Sequence, residues 1–585
     1  MELYQDSSGG SNWQSRNHVS RHGRTTVAFR GYRFRVAGRQ GRGWRATPIV
    51  SAWSGRAHVS IAMRQFWQNF PKCLAWERDC LRLSLFPRQA ADLHEIQGGE
   101  QKTHAFFIGF GADAITDEPL DWVRSPLCAW VDPAWACATG AFGSVLPLAE
   151  DAREDCVRLA RAAIEGPTAF AARREVVDEY GWRHFGDLYA DHESVHAPAE
   201  RPLISHYNNQ YDAVAGFACQ HLRDGDLRWR ELMDDLAAHV VDVDIYHTGE
   251  DRSEYSHGLF WHTAHYVDAG RSTHRTYARS SAAGGGGPSA EHNYTTGLML
   301  HWFMTGSRRS RDAVLELAGW VLQMEEGGRA ILRWIARPPS GAATRTVSPL
   351  YHGPGRGAGN SINAMLDAFR LTGEARYLEA AERFIRRCIH PRDDIAARAL
   401  LDAERRWSYT VFLQALGKYL DIKRERGERD RMYRYARCSL LAYADWMAAH
   451  ERAYLDHPEA LEFPTETWAA QELRKADVFR LAAAYGTSER RPVYVERSEY
   501  FYDRAIGGLR NAPTRTLTRP LVLLITNTVA PPARLTVPAD ASPDPVEDFG
   551  HPAPFVSQRQ RAARRLASAA ALIMAATLLL LLAAL

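Results

Sequence analysis

The apolar residues of this chain change their period once, near Asp151, and that change limits the fold more than any other feature. Upstream, from about Thr25 to Asp113, they alternate with polar residues: Val27 and Phe29, then Tyr32 to Val36, His58 to Met63, Leu81 to Leu85 and Thr103 to Ile108. A period of two, interrupted by Gly, Pro and Asp, predicts short antiparallel strands with one buried face. Downstream the spacing is helical. Gly297 to Gly306 and Asn363 to Gly373 each read as a helix stopped at a Thr-Gly pair and answered by a second helix, with Gly supplying a left-handed C-cap. The same form is traced in Ala213 to Val241, Tyr409 to Met447 and Trp468 to Leu509. Hairpins of this size cannot bury their apolar faces alone and must stack side by side. Standard helical-repeat patterns are absent and long polar loops intervene, so a closed α/α toroid with its loops gathered at one mouth is favoured over an open solenoid.

The expected architecture is multidomain α+β. A disordered leader occupies 1–24, an antiparallel β-sandwich domain, complete or not, 25–150, and an α/α toroid of helical hairpins 151–511. A strand, Leu521 to Ile525, and a Pro-rich linker fill 512–565. The tail from Leu566 to Leu585 carries no charge, is long enough to cross a hydrocarbon core and follows Arg559, Arg561, Arg564 and Arg565. It reads as a transmembrane helix, a single-pass C-terminal anchor. Its basic flank favours a cytoplasmic body, whereas a carbohydrate-active body belongs outside, and the sequence leaves that conflict open. No apolar h-region follows Met1, so no secretory signal is visible there.

An apolar fraction of 45% puts the chain among globular proteins, and a net charge of +3 from 72 basic and 69 acidic residues gives no overall bias toward nucleic acid. The eight cysteines form no CxxC pair, which excludes a zinc ribbon. Most read as buried thiols, and the interval from Cys128 to Cys137 allows a disulfide if the chain is exported.

Chemistry concentrates between Asp244 and Tyr294, where histidines and tyrosines crowd around the glycine loop Gly284 to Gly287. Imidazole moves protons near neutral pH and a tuned phenol can do the same. His292, Asn293 and Tyr294, just after that loop, present a base, an amide and a phenol together, and the bland alternative is a packed helix N-terminus. His262, His265 and Tyr266 share one face if helical, beside Phe260 and Trp261. Arg275 can clamp a carboxylate. Tyr207, Asn208 and Asn209, with His206 and Tyr211, suit sugar hydroxyls, with capping and turn formation as the alternative. The assignment is thus His292, Tyr294, His265 and Tyr266 for proton transfer, and Asn293, Arg275, Asn208, Asn209, Tyr207, His262 and Trp261 for substrate. His192 to His196 matches HExxH, but Pro198 argues against a continuing helix, so no metal ligands are assigned and a divalent metal is left open. The acids Asp244, Glu250, Asp251, Glu254 and Glu291 offer a hydrolase reading instead.

Arg64 to Lys72, Gly98 to His104, Phe185 to Tyr189 and Ser205 to Asp212, together with the histidine-rich centre, resemble the exo-acting rhamnogalacturonan lyase family. The resemblance implies a β-sandwich with an α/α toroid, an acidic polysaccharide as partner and β-elimination as the reaction. In that reaction a carboxylate is neutralised, a proton α to it is removed and the leaving oxygen is protonated. Lys102 and His104 lie beside a strand and reach such a site only if the sandwich borders it. A glycoside hydrolase on the same fold and a non-catalytic carbohydrate-binding protein at the membrane are the alternatives.

Overall fold

A computed structural model describes the chain apart from residues 21–22, 55–56, 79, 95, 97, 112–119, 191–205, 251–253, 261–287, 328–330, 347–350, 514–516 and 537–546. The chain divides into two compact units. One comprises Met1–His247, Phe260–Gly287 and Ala512–Ala530, and the other Thr248–Leu259, Pro288–Asn511 and Pro531–Leu585. The boundary does not fall at the change of period near Asp151, because several helices join the strands in the first unit.

The strands of the first unit are β1 (Glu2–Gln5), β2 (Tyr32–Val36), β3 (Arg39–Gly43), β4 (Ile49–Ser54), β5 (Ala57–Met63), β6 (Lys72–Glu77), β7 (Cys80–Ser84) and β8 (Phe106–Phe110). They make a five-stranded sheet in the order β3-β2-β1-β6-β7 and a three-stranded sheet in the order β4-β5-β8, with every pairing antiparallel. Ile61 and Met63 of the smaller sheet share a core with Leu74 and Leu3 of the larger, as in a β-sandwich. The expected leader is corrected here, since β1 is the central strand, with Leu3 opposite both Phe34 and Leu74. The segment reads as unstructured because its polar residues are matched internally rather than apolar: buried Gln5 donates to the carbonyl of Trp44 and accepts from the backbone N–H of Ala46.

Helices α1 (Pro133–Ala138), α2 (Glu154–Arg161), α3 (Phe170–Val177), α4 (Ala213–Asp224) and α5 (Leu227–His239) complete most of this unit. Helices α4 and α5 form the hairpin traced in the sequence, and α5 runs into a buried π-helical turn, Val240–Asp244. The eight cysteines are free thiols, so Cys128 and Cys137 are not bridged.

The second unit carries α6 (Thr296–Thr305), α7 (Arg308–Glu326), α8 (Arg356–Thr372), α9 (Ala375–Cys388), the short α10 (Ala403–Arg406), α11 (Tyr409–Glu425), α12 (Arg431–His450), α13 (Glu466–Tyr485) and α14 (Arg491–Asn511). Both predicted Thr-Gly stops are present. Gly306 and Gly373 adopt φ of 70° and 71°, and their N–H groups cap the carbonyls of Trp302 and Phe369. The pairs α6/α7, α8/α9, α11/α12 and α13/α14 are helical hairpins, and α8 packs on α7 and α11, while α11 packs on α13. Ile362 and Met365 of α8, Phe412 and Leu416 of α11 and Phe479 of α13 belong to one core.

The expected strand at Leu521 to Ile525 is instead part of a helix, α15 (Thr518–Asn527), packed on α4 and α2 of the first unit. A continuous apolar run does not distinguish a buried strand from a buried helix, and Pro520 in the first turn is tolerated because its missing N–H has no intrahelical partner to lose. The last helix, α16 (Gln558–Ala584), starts at a capping box between Ser557 and Gln560. Its N-terminal part docks on the second unit through Gln558 to the carbonyl of Ala336 and Arg565 to that of Ile335. Beyond Arg565 it is exposed, and it is long and apolar enough to cross a membrane.

Candidate functional site

The residues singled out first, His292, Asn293 and Tyr294, sit together in the second unit on a short connection between a 3-10 turn, Ala290–His292, and α6. Ser289 opens that turn by accepting from the N–H of Glu291, and Tyr294 donates its N–H to the carbonyl of His292. The rings of His292 and Tyr294 meet edge to face with centroids 6.1 Å apart. Between them Asn293 is completely buried, and neither its amide oxygen nor its amide nitrogen has a hydrogen-bond partner among the described residues. Leaving a buried polar group unmatched costs about 1–3 kcal/mol.

The backbone around this triplet is held from outside. Asn360 of α8 donates to the carbonyl of Glu291 at 2.9 Å. Thr295 and Thr296 donate to Asp367, also on α8, at 2.7 and 2.9 Å, and Lys418 of α11 reaches Asp367 at 2.5 Å. Gly357 permits this approach, because a Cβ there would lie 2.6 Å from the carbonyl oxygen of Arg345 and 3.4 Å from the side chain of Glu291. Arg356 pairs with Glu291 at 3.3 Å and lies 5.5 Å from the centre of the Trp407 ring. Close by in sequence, Tyr351 lies under the guanidinium of Arg406 at 3.9 Å, and burial raises its phenol pKa. An amide, an imidazole, a phenol, a guanidinium and an indole therefore surround one fixed turn.

The first unit holds a second polar cluster, to which residues of 65–70, 100–103, 181–187 and 235–244 contribute. Gln65 donates to Asp235 at 2.9 Å, the N–H groups of Gly181 and Trp182 bond the carbonyls of Gln68 and Phe70, and Arg183 grips Glu100 at 2.8 and 3.2 Å. Thr103 donates to Asp242 through both its N–H and its hydroxyl. His239 donates from Nδ1 to the carbonyl of Phe185 at 3.2 Å, so its Nε2 is the atom turned toward Asp244 and Asp187, at 3.6 and 3.9 Å. Burial opposes charge on His239, yet the two carboxylates outweigh it and lift its pKa; burial likewise raises the pKa of Asp187. Beside them the ligand atoms of Glu179, His184 and His206 lie within 4.8 Å of one another. The same unit has an open cleft of about 470 Å³ whose lining includes Arg64, Phe185, Glu231 and Asp235. Burial raises both acids there.

The sequence-derived candidates thus fall in three groups. His292, Asn293 and Tyr294 are brought together in the second unit. Tyr207, Asn208 and Asn209 are buried in the first, where Asn209 accepts from the N–H of Val214, Asn208 donates to the carbonyl of Phe260, and both asparagines hold positive φ. These two amides build the turn into α4. Trp261, His262, His265, Tyr266 and Arg275 lie outside the described residues, as do the HExxH match at 192–196 and Asp251. Sequence reasoning missed Arg356, Asn360, Asp367, Lys418 and Trp407, whose only signal is a glycine-rich start to a helix. It likewise missed the grouping of Glu179, His184 and Asp187, close in sequence, with the distant His206 and His239. The chain matches no protein-family model and no curated protein.

Proposed function

We propose that the protein is a polysaccharide lyase that cleaves a uronate-containing, rhamnogalacturonan-like polymer by β-elimination at the His292-Asn293-Tyr294 turn. The observation that carries this reading is the buried amide of Asn293, unmatched among the described residues, between an imidazole and a phenol. Such a cost persists where a ligand repays it. Asn293 donates to the uronate carboxylate and, with Arg356, neutralises it. His292 takes the proton α to that carboxylate, the electron pair forms the ring double bond, the glycosidic C–O bond breaks, and Tyr294 gives its proton to the leaving oxygen. Trp407 offers an apolar face to a sugar ring. The helical hairpins of the second unit support an α/α toroid as the scaffold, and the exposed end of α16 supports a single-pass membrane anchor, with the body on the extracytoplasmic side where such polymers occur.

The test is to incubate the purified chain with rhamnogalacturonan and other polyuronates. Elimination yields an ultraviolet-absorbing unsaturated uronate, and its absence with all of them overturns the reading. A second reading, glycoside hydrolysis, is favoured by one observation: Glu231 and Asp235 face the first unit's cleft with raised pKa values, suited to a general acid. It predicts new reducing ends without that absorbance. Retained binding with neither product points to a non-catalytic module.

A further inference from the structure

Glu179, His184 and His206 are separated in sequence, and none is used by the reaction proposed above. Backbone contacts bring them together. The turn between Glu179 and His184 hangs from the segment before β6 through Gly181 N–H to the carbonyl of Gln68 at 2.7 Å and Trp182 N–H to that of Phe70 at 3.0 Å. His206 is fixed by a β-bridge to Tyr189 and by the N–H of Tyr207, which donates to Asp187. Glu179 and His206 are fully buried, and His184 is half-buried.

The spacing of the His206 and Glu179 donor atoms fits a shared cation. His206 Nδ1 stands 3.4 Å from Glu179 Oε1 and 3.7 Å from Asp187 Oδ2. Donors about 2.0–2.1 Å from a tetrahedral metal are roughly 3.3–3.4 Å from one another. The imidazole centroids of His184 and His206 are 5.0 Å apart, and their planes are 3° from parallel. Glu179 is oriented from behind, because Asn17 Nδ2 donates to its Oε2 at 2.8 Å, while Oε1 accepts no hydrogen bond among the described residues. That is the outer-shell support a ligating carboxylate needs. The neighbouring Asp178 is already matched by His18 at 2.6 Å and by Ser8, so it does not compete for the position. Two imidazoles and a carboxylate are a donor set typical of zinc among the common divalent ions.

We infer that Glu179, His184 and His206 bind one divalent cation of the zinc type. Three protein donors from two segments make this a site that fastens the 179–184 turn to His206, separate from the chemistry at His292.

The full-length protein, purified in detergent and stripped with a chelator, is titrated with zinc and, in parallel, with cobalt(II). The expected result is uptake of one equivalent, a cobalt visible spectrum of the tetrahedral kind, a higher melting temperature on loading, and a zinc X-ray absorption spectrum showing only nitrogen and oxygen donors with scattering from two imidazoles. Glu179→Gln and His184→Ala should each weaken uptake 10-fold or more. No uptake at several-fold molar excess, a shell containing sulfur, or uptake unchanged in both variants would overturn the proposal. The X-ray spectrum of the parent protein decides even if a variant does not fold, and none of these readouts depends on lyase activity.

Discussion

Asn360 donates from Nδ2 to the carbonyl of Glu291 across 2.9 Å, joining the buried face of α8 to the residue immediately before His292. The bond positions the turn without touching the imidazole. Asn360→Ala leaves a buried carbonyl unmatched, so a loss of about 1–3 kcal/mol in urea denaturation is expected. Turnover on a uronate polymer should fall by about 10-fold or more, because a small displacement of a reacting group is costly. Unchanged turnover would show that the position of His292 is immaterial.

At Asn293 stability and activity should move in opposite directions. Asn293→Leu replaces an unmatched amide by an apolar group of similar size, and a gain of up to about 1–3 kcal/mol is expected together with loss of elimination. His292→Ala and Tyr294→Phe should lower turnover by about 100-fold or more with smaller changes in stability. If each variant loses stability and activity in proportion, the turn is packing and its catalytic assignment is wrong.

Lys418 and Asp367 form an ion pair at 2.5 Å in which the carboxylate is completely buried and also accepts from Thr295 and Thr296. Lys418→Met leaves that charge with hydroxyl partners alone. A loss of about 2–4 kcal/mol is expected, somewhat below the range for a fully buried pair because Lys418 is partly exposed. Combining Lys418→Met with Asp367→Asn should recover part of it, which a double-mutant cycle in denaturant will measure.

His352 supplies a pH dependence. Burial first, then Arg387 and Arg345, pushes its pKa down to about 4. An unfolded-chain histidine titrates near about 6.5. Below that pH the unfolded chain takes up a proton that the folded one refuses, so the contribution of His352 is fully present above about 6.5 and is lost as the pH falls toward 4. His352→Gln should therefore lose less melting temperature than the parent between pH 7 and 4.5, by about 1–3 °C. Parallel curves for the two proteins would contradict this.

The tail can be tested without disturbing the fold. Gln558, Arg561 and Arg565 bond carbonyls of the second unit, whereas the helix beyond Arg565 is exposed. A chain ending at Arg565 should keep the melting temperature of the body and remain in the supernatant after membrane sedimentation. The full chain should sediment with the membranes and be released by detergent but not by salt.

Legibility followed the range of the interactions. The Thr-Gly stops at Gly306 and Gly373 and the hairpin of α4 and α5 were readable, because caps and amphipathic spacing act within one or two turns. Strand β1 was not, since Gln5 and Ser7 are matched by Trp44 and Phe29, some twenty to forty residues away, and Ser8 by the still more distant Asp178. The stretch Leu521 to Ile525 was misread because α4 and α2 enclose it, and enclosure erases the periodicity that identifies a helix. In the site, the triplet His292 to Tyr294 is contiguous and visible. Arg356, Asn360 and Lys418 are not, because their roles exist only once α8 and α11 lie against the turn.

The sequence by itself determined the strand-rich start, the helical hairpins, the apolar tail and the residues able to move protons, for each depends on local propensity and the order of apolar residues. Tertiary structure alone decided that the first strand is central, that α15 belongs with the strand-bearing unit, and that Asn293 is buried with no side-chain partner among the described residues. It also decided that the ligand atoms of Glu179, His184 and His206 lie within 4.8 Å of one another. Burial and long-range hydrogen bonding depend on which segments meet, and a buried group is costly or useful only in relation to what surrounds it.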